Sequence, residues 1–453
     1  MKEVLECGAD GCISTYVSTC EKDIYSPSGM KSENGTDTMK NGLDLPVPFE
    51  TAFAAREIGL EDFLSSDDYH LEFTRMKEHL PLHNIYASHY LSIAEPYLTH
   101  LVSSDNFKEI ISMAKHFPGN LTSFLGFECR LGVSNARTDW AFAISSVGRD
   151  RHVFVNLLND GYIPDQFLQQ SAWRHLIDFA NAWVDPNSVL RYTIKCFWLE
   201  FDMPEQLPEV PIPSIFFGPE KIPKAKKVND FSNYEWLLTA ALPILKGHRL
   251  KKIVENKIKK CIQNLPENAS LFQVGTLLSR SSDDVRLYIN HCNPKQILSY
   301  LTTIGWKDKT GEFTKLINEL ENKVERFVLS FDITDKGIGP RIGIELSFTS
   351  NEFFNETQWN QLLDYLVEKG WCLPEKRDAL LSYQSAENFS GGIMKPLTSA
   401  SQHLDDLIHS KIVRYINHIK IVYQPGKEIE AKAYPAVRLF GPSHDSTQMI
   451  SRE

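Results

Sequence analysis

No run of about 20 apolar residues occurs in the 453-residue chain, so no membrane-spanning helix is expected. Basic residues are in the minority. Lys and Arg number 48 against 58 Asp and Glu, and the net charge of −10 argues against a general affinity for nucleic acid or an anionic membrane. Cysteine is sparse and unpaired in pattern: Cys7, Cys12, Cys20, Cys129, Cys196, Cys261, Cys292 and Cys372 contain no Cys-x-x-Cys spacing. Neither a zinc site nor a disulfide framework is indicated. The opening residues lack a basic stretch followed by an apolar one, so they do not read as a secretory signal. A cytoplasmic protein with reduced thiols is expected.

Several chemistries lack their motifs. Asp67-Asp68, Asp283-Asp284 and Asp405-Asp406 are not followed by the third acid of a DDxxD magnesium cluster. His70, His79, His83 and His89 do not form HExxH, and Pro81 interrupts one spacing, so no metal site is expected. No GxSxG or GxxxxGK[ST] run occurs. Ser443-His444-Asp445 is adjacent only in sequence, and triad members must meet in space. Gly337-Ile-Gly-Pro-Arg-Ile-Gly343 has the wrong spacing for a dinucleotide fingerprint and reads as a hairpin turn. The KKIVENKIKK run reads as the solvated face of a helix.

What is present is globular composition, 42% apolar and 23% charged. Residues 1–48 are polar and aperiodic and read as a flexible tail, as do 441–453. Residues 49–440 are expected to form a single repeat-built domain. Within it, paired strand-like runs recur five times. They are SFLGFECRLG with TDWAFAIS, IKCFWLEFD with PSIFFG, LFQVGTLLSR with VRLYINHC, FVLSFDI with PRIGIELSFT, and INHIKIVYQ with EIEAKAYPAV. Each alternates apolar and polar residues around Gly, Asp, Asn or Pro, which is a hairpin signal.

Between hairpins the period changes to about 3.6. Helices are expected in DQFLQQSAWRHLIDFANAW, NYEWLLTAALPILKG, RLKKIVENKIKKCIQNL, PKQILSYLTTIGW, EFTKLINELENKVERF, ETQWNQLLDYLVEKGW and SASQHLDDLIHSKIVRY. The order is two strands then two helices, repeated. Five antiparallel hairpins supply ten strands, and a ten-stranded sheet leaves two exposed edges unless it closes. The expected fold is therefore α+β: a ten-stranded antiparallel β-barrel of five ββαα repeats, ringed by helices and wide enough for a ligand.

The alternation divides each strand into two faces. Phe127 and Cys129 oppose Gly126, Glu128 and Arg130. Phe197, Leu199 and Phe201 oppose Trp198, Glu200 and Asp202. On a single strand the polar face simply meets water. With helices after every hairpin the apolar faces turn outward, and the polar faces line a shared lumen. That lumen would hold Arg130, Arg286, Arg341, Lys420 and Lys432. It would also hold Glu128, Glu200, Asp202, Asp332 and Glu345, with aromatic Trp198, Phe216, Tyr288 and Tyr434. Some of these charges will be paired with one another, because enclosed charges are costly alone. Cations neutralise phosphate, and aromatic faces shelter a carbocation.

This arrangement resembles the prenyltransferase-barrel, or ABBA, family, which includes the dimethylallyltryptophan synthase-type aromatic prenyltransferases. The resemblance covers about residues 95–440 and rests on repeat topology and lumen chemistry. It implies transfer of an isoprenyl group from a prenyl diphosphate to an aromatic small molecule or a peptide side chain. Glu128 in FECRLG is similar to the family's proton acceptor on the first hairpin. Arg286 and Tyr288 in VRLYI, and Lys432 and Tyr434 in AKAYP, are similar to its diphosphate-binding and cation-shielding positions. Arg130, Arg341 and Lys420 extend the anion site, and Trp198 joins the shield and acceptor pocket.

No metal is required by this scheme, though magnesium could accompany the diphosphate. The second hairpin departs from the pattern. It reads WLEFD, where the family tends to place Lys and Tyr. Asp332 and Glu345 are a further departure; they could pair with Arg341, bind a metal or receive a cationic part of an acceptor. A non-catalytic barrel that binds a partner or ligand, or a barrel enzyme of another reaction type, fits the same residues.

Overall fold

The computed structural model describes residues 86–440, apart from 123, 136, 147–149, 162, 220–226, 280–283, 349–355 and 389–410. The expected tails, the segment 49–85, and His70, His79 and His83 lie outside the described residues.

Among the described residues there are eleven strands, in chain order: β1 (Phe124–Arg130), β2 (Thr138–Ser145), β3 (Ile194–Phe201), β4 (Ser214–Pro219), β5 (Ser270–Leu277), β6 (Val285–Asn290), β7 (Arg326–Thr334), β8 (Gly337–Ser347), β9 (Ser385–Asn388), β10 (Lys411–Tyr423) and β11 (Glu430–Phe440). Neighbours pair antiparallel from β1 through to β8, then β8 pairs β10 and β10 pairs β11. The circle closes where β11 pairs β1, with Ala433 opposite Cys129 and Lys432 opposite Arg130. Ten strands thus form the closed barrel that the hairpin repeat predicts. The eleventh, β9, was not anticipated. It pairs with β10 from Lys411 to Arg414, the part of that edge that β8 does not reach.

The helices lie outside the strands. They include α1 (Ala87–Ala94), α2 (Ser104–Ala114), α3 (Asp150–Asn159), α4 (Ser171–Val184), α5 (Leu242–Lys246), α6 (Lys252–Gln263), α7 (Pro294–Ile304), α8 (Glu312–Leu320), α9 (Glu356–Glu368) and α10 (Pro374–Tyr383), besides two single turns at Asp165–Leu168 and Leu190–Thr193. In α4, Trp173, Leu176, Phe179, Ala180 and Trp183 recur at helical spacing and are all buried. They meet the outward strand residues: the Phe179 ring lies 5.1 Å from that of Phe197. Burial of each such large side chain contributes about 1.5–3 kcal/mol. Local signals fix the ends of α7. Pro294 opens it, the Asn293 side chain accepts a hydrogen bond from the Lys295 amide at 3.0 Å, and Gly305 closes it with φ +111°. In α6, Val254, Ile258, Cys261 and Ile262 face the core, so the lysine-rich run is a solvated helix face as expected.

Two expectations fail at their edges. EFTKLINELENKVERF is helical to Leu320, but Arg326 and Phe327 already belong to β7. The helix expected at 399–415 cannot extend through Lys411–Tyr415, which is strand; residues 399–410 lie outside the described set. The physical reason is that this end of β10 is buried on both faces and paired on both edges. Ile412, Val413, Arg414 and Tyr415 are all buried, so the polar–apolar alternation that marks a strand is missing. The Gly337–Gly343 segment, expected as a hairpin turn, is strand instead: Gly337 and Ile338 already pair with Thr334 and Ile333, and the turn itself is Asp335 and Lys336. Gly337 has φ +142° at the β7–β8 hairpin, a conformation that favours glycine.

Candidate functional site

The inward faces enclose two chambers that share Glu128, Asp139 and Glu200 at their junction. The first has about 900 Å³ of open space, counting its opening to solvent, and the second about 770 Å³.

The first chamber is largely aromatic. Phe124, Trp198, Phe216, Phe272 and Tyr288 line it, with Val328 beside them. The Phe124 and Trp198 rings meet edge-on at 4.7 Å, and Phe216 meets Tyr288 edge-on at 5.8 Å. A register shift in β5 between Leu271 and Gln273 breaks strict alternation there, and both Phe272 and Gln273 line the chamber. His418 stacks on Tyr434 with ring centroids 4.0 Å apart.

The second chamber is polar. Arg130, Arg286, Arg341, Lys420 and Lys432 converge on it from β1, β6, β8, β10 and β11. Each has a carboxylate partner. Lys432 Nζ lies 2.5 Å from Glu128 Oε1. Lys420 Nζ lies 3.2 Å from both Glu345 Oε1 and the Tyr288 hydroxyl. Arg286 holds Asp332 through two parallel bonds of 2.7 and 3.1 Å. Arg130 and Arg341 both pair with Glu430, at 3.3 and 3.2 Å. Arg130 and Arg341 keep 44% of their side chains exposed, against 8% for Lys420 and 12% for Lys432, so the arginines mark the mouth and the lysines the interior.

Gly343 makes room for this arrangement. A Cβ there would sit 2.8 Å from Lys420 Cε and 2.4 Å from Ser330 Oγ. Lys420 also stands 4.7 Å from the centre of the Tyr288 ring.

Electrostatics separates the carboxyls. Burial opposes ionisation of Glu128, but Lys432, the Tyr434 hydroxyl that donates to it, and Lys420 outweigh burial and hold its carboxyl at about 2. Glu345 is likewise lowered, its burial outweighed by Lys420 and its neighbours. Glu200 goes the other way. Burial and the negative charges of Glu128, Asp139 and Asp202 push it up to about 8. Asp139, also raised by burial and by Glu128, reaches about 6, although it accepts a 2.7 Å hydrogen bond from the Met203 amide. Burial lowers His418 to about 4. Its Nε2 lies 3.8 Å from Glu345, but the ring is neutral at pH 7 and the contact is not an ion pair there.

All the lumen residues expected from alternation line one chamber or the other. Arg130, Arg286, Arg341, Lys420, Lys432, Asp202 and Asp332 face the polar chamber. Trp198, Phe216, Tyr288, Tyr434 and Glu345 face the aromatic one, and Glu128 and Glu200 face both. Asp332 pairs with Arg286 rather than Arg341, and Glu345 pairs with Lys420. Asp139 was missed as a site residue, although the alternation of TDWAFAIS against Trp140 could have found it. Phe272 and Gln273 carried no such signal, because a bulge hides them from a strict two-residue period.

No family model matches the chain, and no curated protein matches it in sequence. Among solved structures it is similar to the prenyltransferase PriB in its apo form, at 11% identity and TM-score 0.45, over 80% of this chain and 95% of that one. It is similar to 5-dimethylallyltryptophan synthase from Streptomyces coelicolor at 10% identity and TM-score 0.43, over 83% and 98%. It is similar to the NotF prenyltransferase at 12% and 0.45, over 80% and 98%. The closed barrel of this chain is defined by its own strand pairings, above all that of β11 with β1. Among the described residues no helix is long and apolar enough to cross a membrane.

Proposed function

We propose that the chain is an aromatic prenyltransferase, moving an isoprenyl group from a prenyl diphosphate to an aromatic small molecule or a peptide side chain. One observation carries this reading: a chamber of five converging cations opens onto an aromatic chamber, with Glu128 at the junction.

In this reading the diphosphate occupies the polar chamber and draws on Arg130, Arg286, Arg341, Lys420 and Lys432. The allylic C–O bond breaks and the diphosphate leaves with the electron pair, its charge stabilised by these side chains. The allyl cation is sheltered by Tyr288, Tyr434 and Trp198. An aromatic carbon of the acceptor attacks, a C–C bond forms, and Glu128 takes the ring proton. A carboxylate held at about 2 is a weak base, but an arenium ion is a far stronger acid, so the transfer is downhill. The five cations are offset by Glu128, Asp332, Glu345 and Glu430, so neutralising a diphosphate requires those pairs to open or a magnesium ion to enter with the donor. Free, buried Cys129, Cys196, Cys261, Cys292 and Cys372 suit a reducing, cytoplasmic compartment.

The test is calorimetric binding of geranyl thiolodiphosphate, with and without magnesium, to wild type and Lys432→Ala, followed by mass analysis of an aromatic acceptor screen. Binding that weakens in the variant, and products heavier by an isoprene increment, are expected. Absence of donor binding under both conditions overturns the reading.

A second reading has its own support. Each of the five cations already has a carboxylate partner, as in a barrel that binds a ligand without transforming it. Glu128→Gln separates the two: an enzyme loses turnover and keeps donor binding, whereas a binding protein has no turnover to lose.

A further inference from the structure

The prenyl-transfer scheme uses the cations of β1, β6, β8, β10 and β11 and leaves the opposite wall unexplained. On that wall Asp139, Glu200 and Asp202 face the lumen from β2 and β3. None of the three lies within ion-pair distance of a cation among the described residues, and diphosphate there would be repelled.

Their surroundings are more specific than an acidic patch. Ser214 stands directly across β4 from Glu200, on the same inward face. It is 1% exposed, and its hydroxyl has no hydrogen-bond partner among the described protein groups. Trp198, two residues along β3 and also inward, has a buried indole N–H in the same condition. On the other side Glu200 is opposite Ala141, whose small side chain leaves the carboxyl open to the chamber. A buried hydroxyl left unbonded is costly, and Ser214 Oγ beside the Glu200 carboxyl is an acceptor open to a donor-bearing ligand, whereas the Trp198 N–H is itself a donor and calls for an acceptor elsewhere on that ligand.

We infer that this β2–β4 wall, centred on Glu200 and Ser214, is a subsite for a protonated amine carried by the aromatic acceptor. The inference rests on the aromatic-acceptor reading above. Carboxylates and a hydroxyl are acceptors that an ammonium group satisfies, and the neighbouring aromatic chamber takes the ring. The amine supplies the positive charge that Glu200, Asp139 and Asp202 lack. The ligand thereby lies between walls of opposite character, its amine on β2–β4 and its reactive ring facing the diphosphate.

Titration supplies an independent readout. Glu200 is faced by Glu128 of β1, Asp139 of β2, Asp202 of its own strand, Ser214 of β4 and Lys420 of β10. With its carboxyl raised to about 8 it carries a proton at pH 7, and an ammonium ion must displace that proton.

The experiment is calorimetry on the full chain with tryptamine and with tryptophol, which replaces the ammonium by a hydroxyl, at pH 7 in buffers of different ionisation enthalpy. Tryptamine is expected to bind about tenfold more tightly, as a charge-assisted contact should, and to release about one proton per molecule bound. In Glu200→Gln the preference and the proton release both vanish, while geranyl thiolodiphosphate binding is not weakened. Ser214→Ala narrows the preference without abolishing it. Equal affinity for the two indoles, a preference that survives Glu200→Gln, or no measurable binding of either overturns the inference. Failure of the prenyl-transfer reading shows separately, as absence of thiolodiphosphate binding.

Discussion

The two halves of the lumen are built from the same alternating strand positions yet obey different rules. In the aromatic half, side chains meet through ring edges and faces, as Phe124 meets Trp198 and His418 meets Tyr434, and no single contact decides the geometry. In the polar half every cation is fixed by a named carboxylate. Glu430 holds Arg130 and Arg341 at the mouth, while Glu128 holds Lys432 and Glu345 holds Lys420 inside. The contrast teaches that cations gathered on one inward face are held by internal counter-charges, because enclosed charges are costly alone.

That contrast can be broken at the junction. The largest effect is expected from Glu128→Gln, which removes the carboxylate proposed to accept the ring proton while keeping its shape. Turnover should fall by about 10²–10⁴-fold in steady-state assays, with donor affinity unchanged or improved because Lys432 is released. Next comes Lys432→Ala, which deletes a charge-assisted contact and leaves Glu128 without its nearest counter-ion. Affinity for geranyl thiolodiphosphate should fall by about 2 kcal/mol, about 30-fold, as read by calorimetry.

A subtler probe of the polar half is Gly343→Ala. The new methyl would crowd Lys420 Cε and Ser330 Oγ and push Lys420 away from Glu345 and Tyr288. Donor affinity should weaken about fivefold, with little change in binding of an uncharged aromatic such as tryptophol.

The smallest effect is on stability, and its sign follows from the direction of the shift. Glu200 has an ordinary value of 4.5 and is raised to about 8 in the folded chain. Between those values the folded state holds a proton that the unfolded state has lost, so stability falls as pH rises through this window. Glu200→Gln removes that fall. Its melting temperature should exceed wild type by a few degrees at pH 8 and match it near pH 4.5. Glu128 behaves oppositely. Lowered from 4.5 to about 2, it contributes stability that is present above about 4.5 and lost as pH drops toward 2.

Much of this was legible in the sequence because the barrel repeats one simple instruction. Alternation over FECRLG, WLEFD and VRLYI told which residues face inward, and the hairpin count required closure. The limits are equally physical. β9 and the start of β10 are buried on both faces or too short, so the period of two that marks a strand is absent there. The bulge at Phe272 and Gln273 shifts the phase of β5. Partner choice was not readable either. Arg286 finds Asp332 because β6 lies beside β7 with those two residues in register, and a single strand's sequence does not contain its neighbour's register. Nor did residue types alone separate Glu128 from Glu200. Both are inward glutamates, and only the company of Lys432 and Tyr434 on one side, and of Asp139 and Asp202 on the other, drives their carboxyls to opposite extremes.

The pairing of β11 with β1 bears on how the molecule is assembled. Lys432 reaches Glu128 across 304 positions of chain, and Tyr434 across 306. Contacts so distant in sequence form slowly, because a long loop must be closed before they reward it. A ribosome delivers β1 long before β11, so the early hairpins must wait with an open sheet edge. The junction between the two chambers is then finished by the last strand to arrive. A chain shortened before Glu430 would lack two of the groups around Glu128 and would carry two unpaired edges, and it should be recovered as aggregate rather than as a folded protein of lower stability.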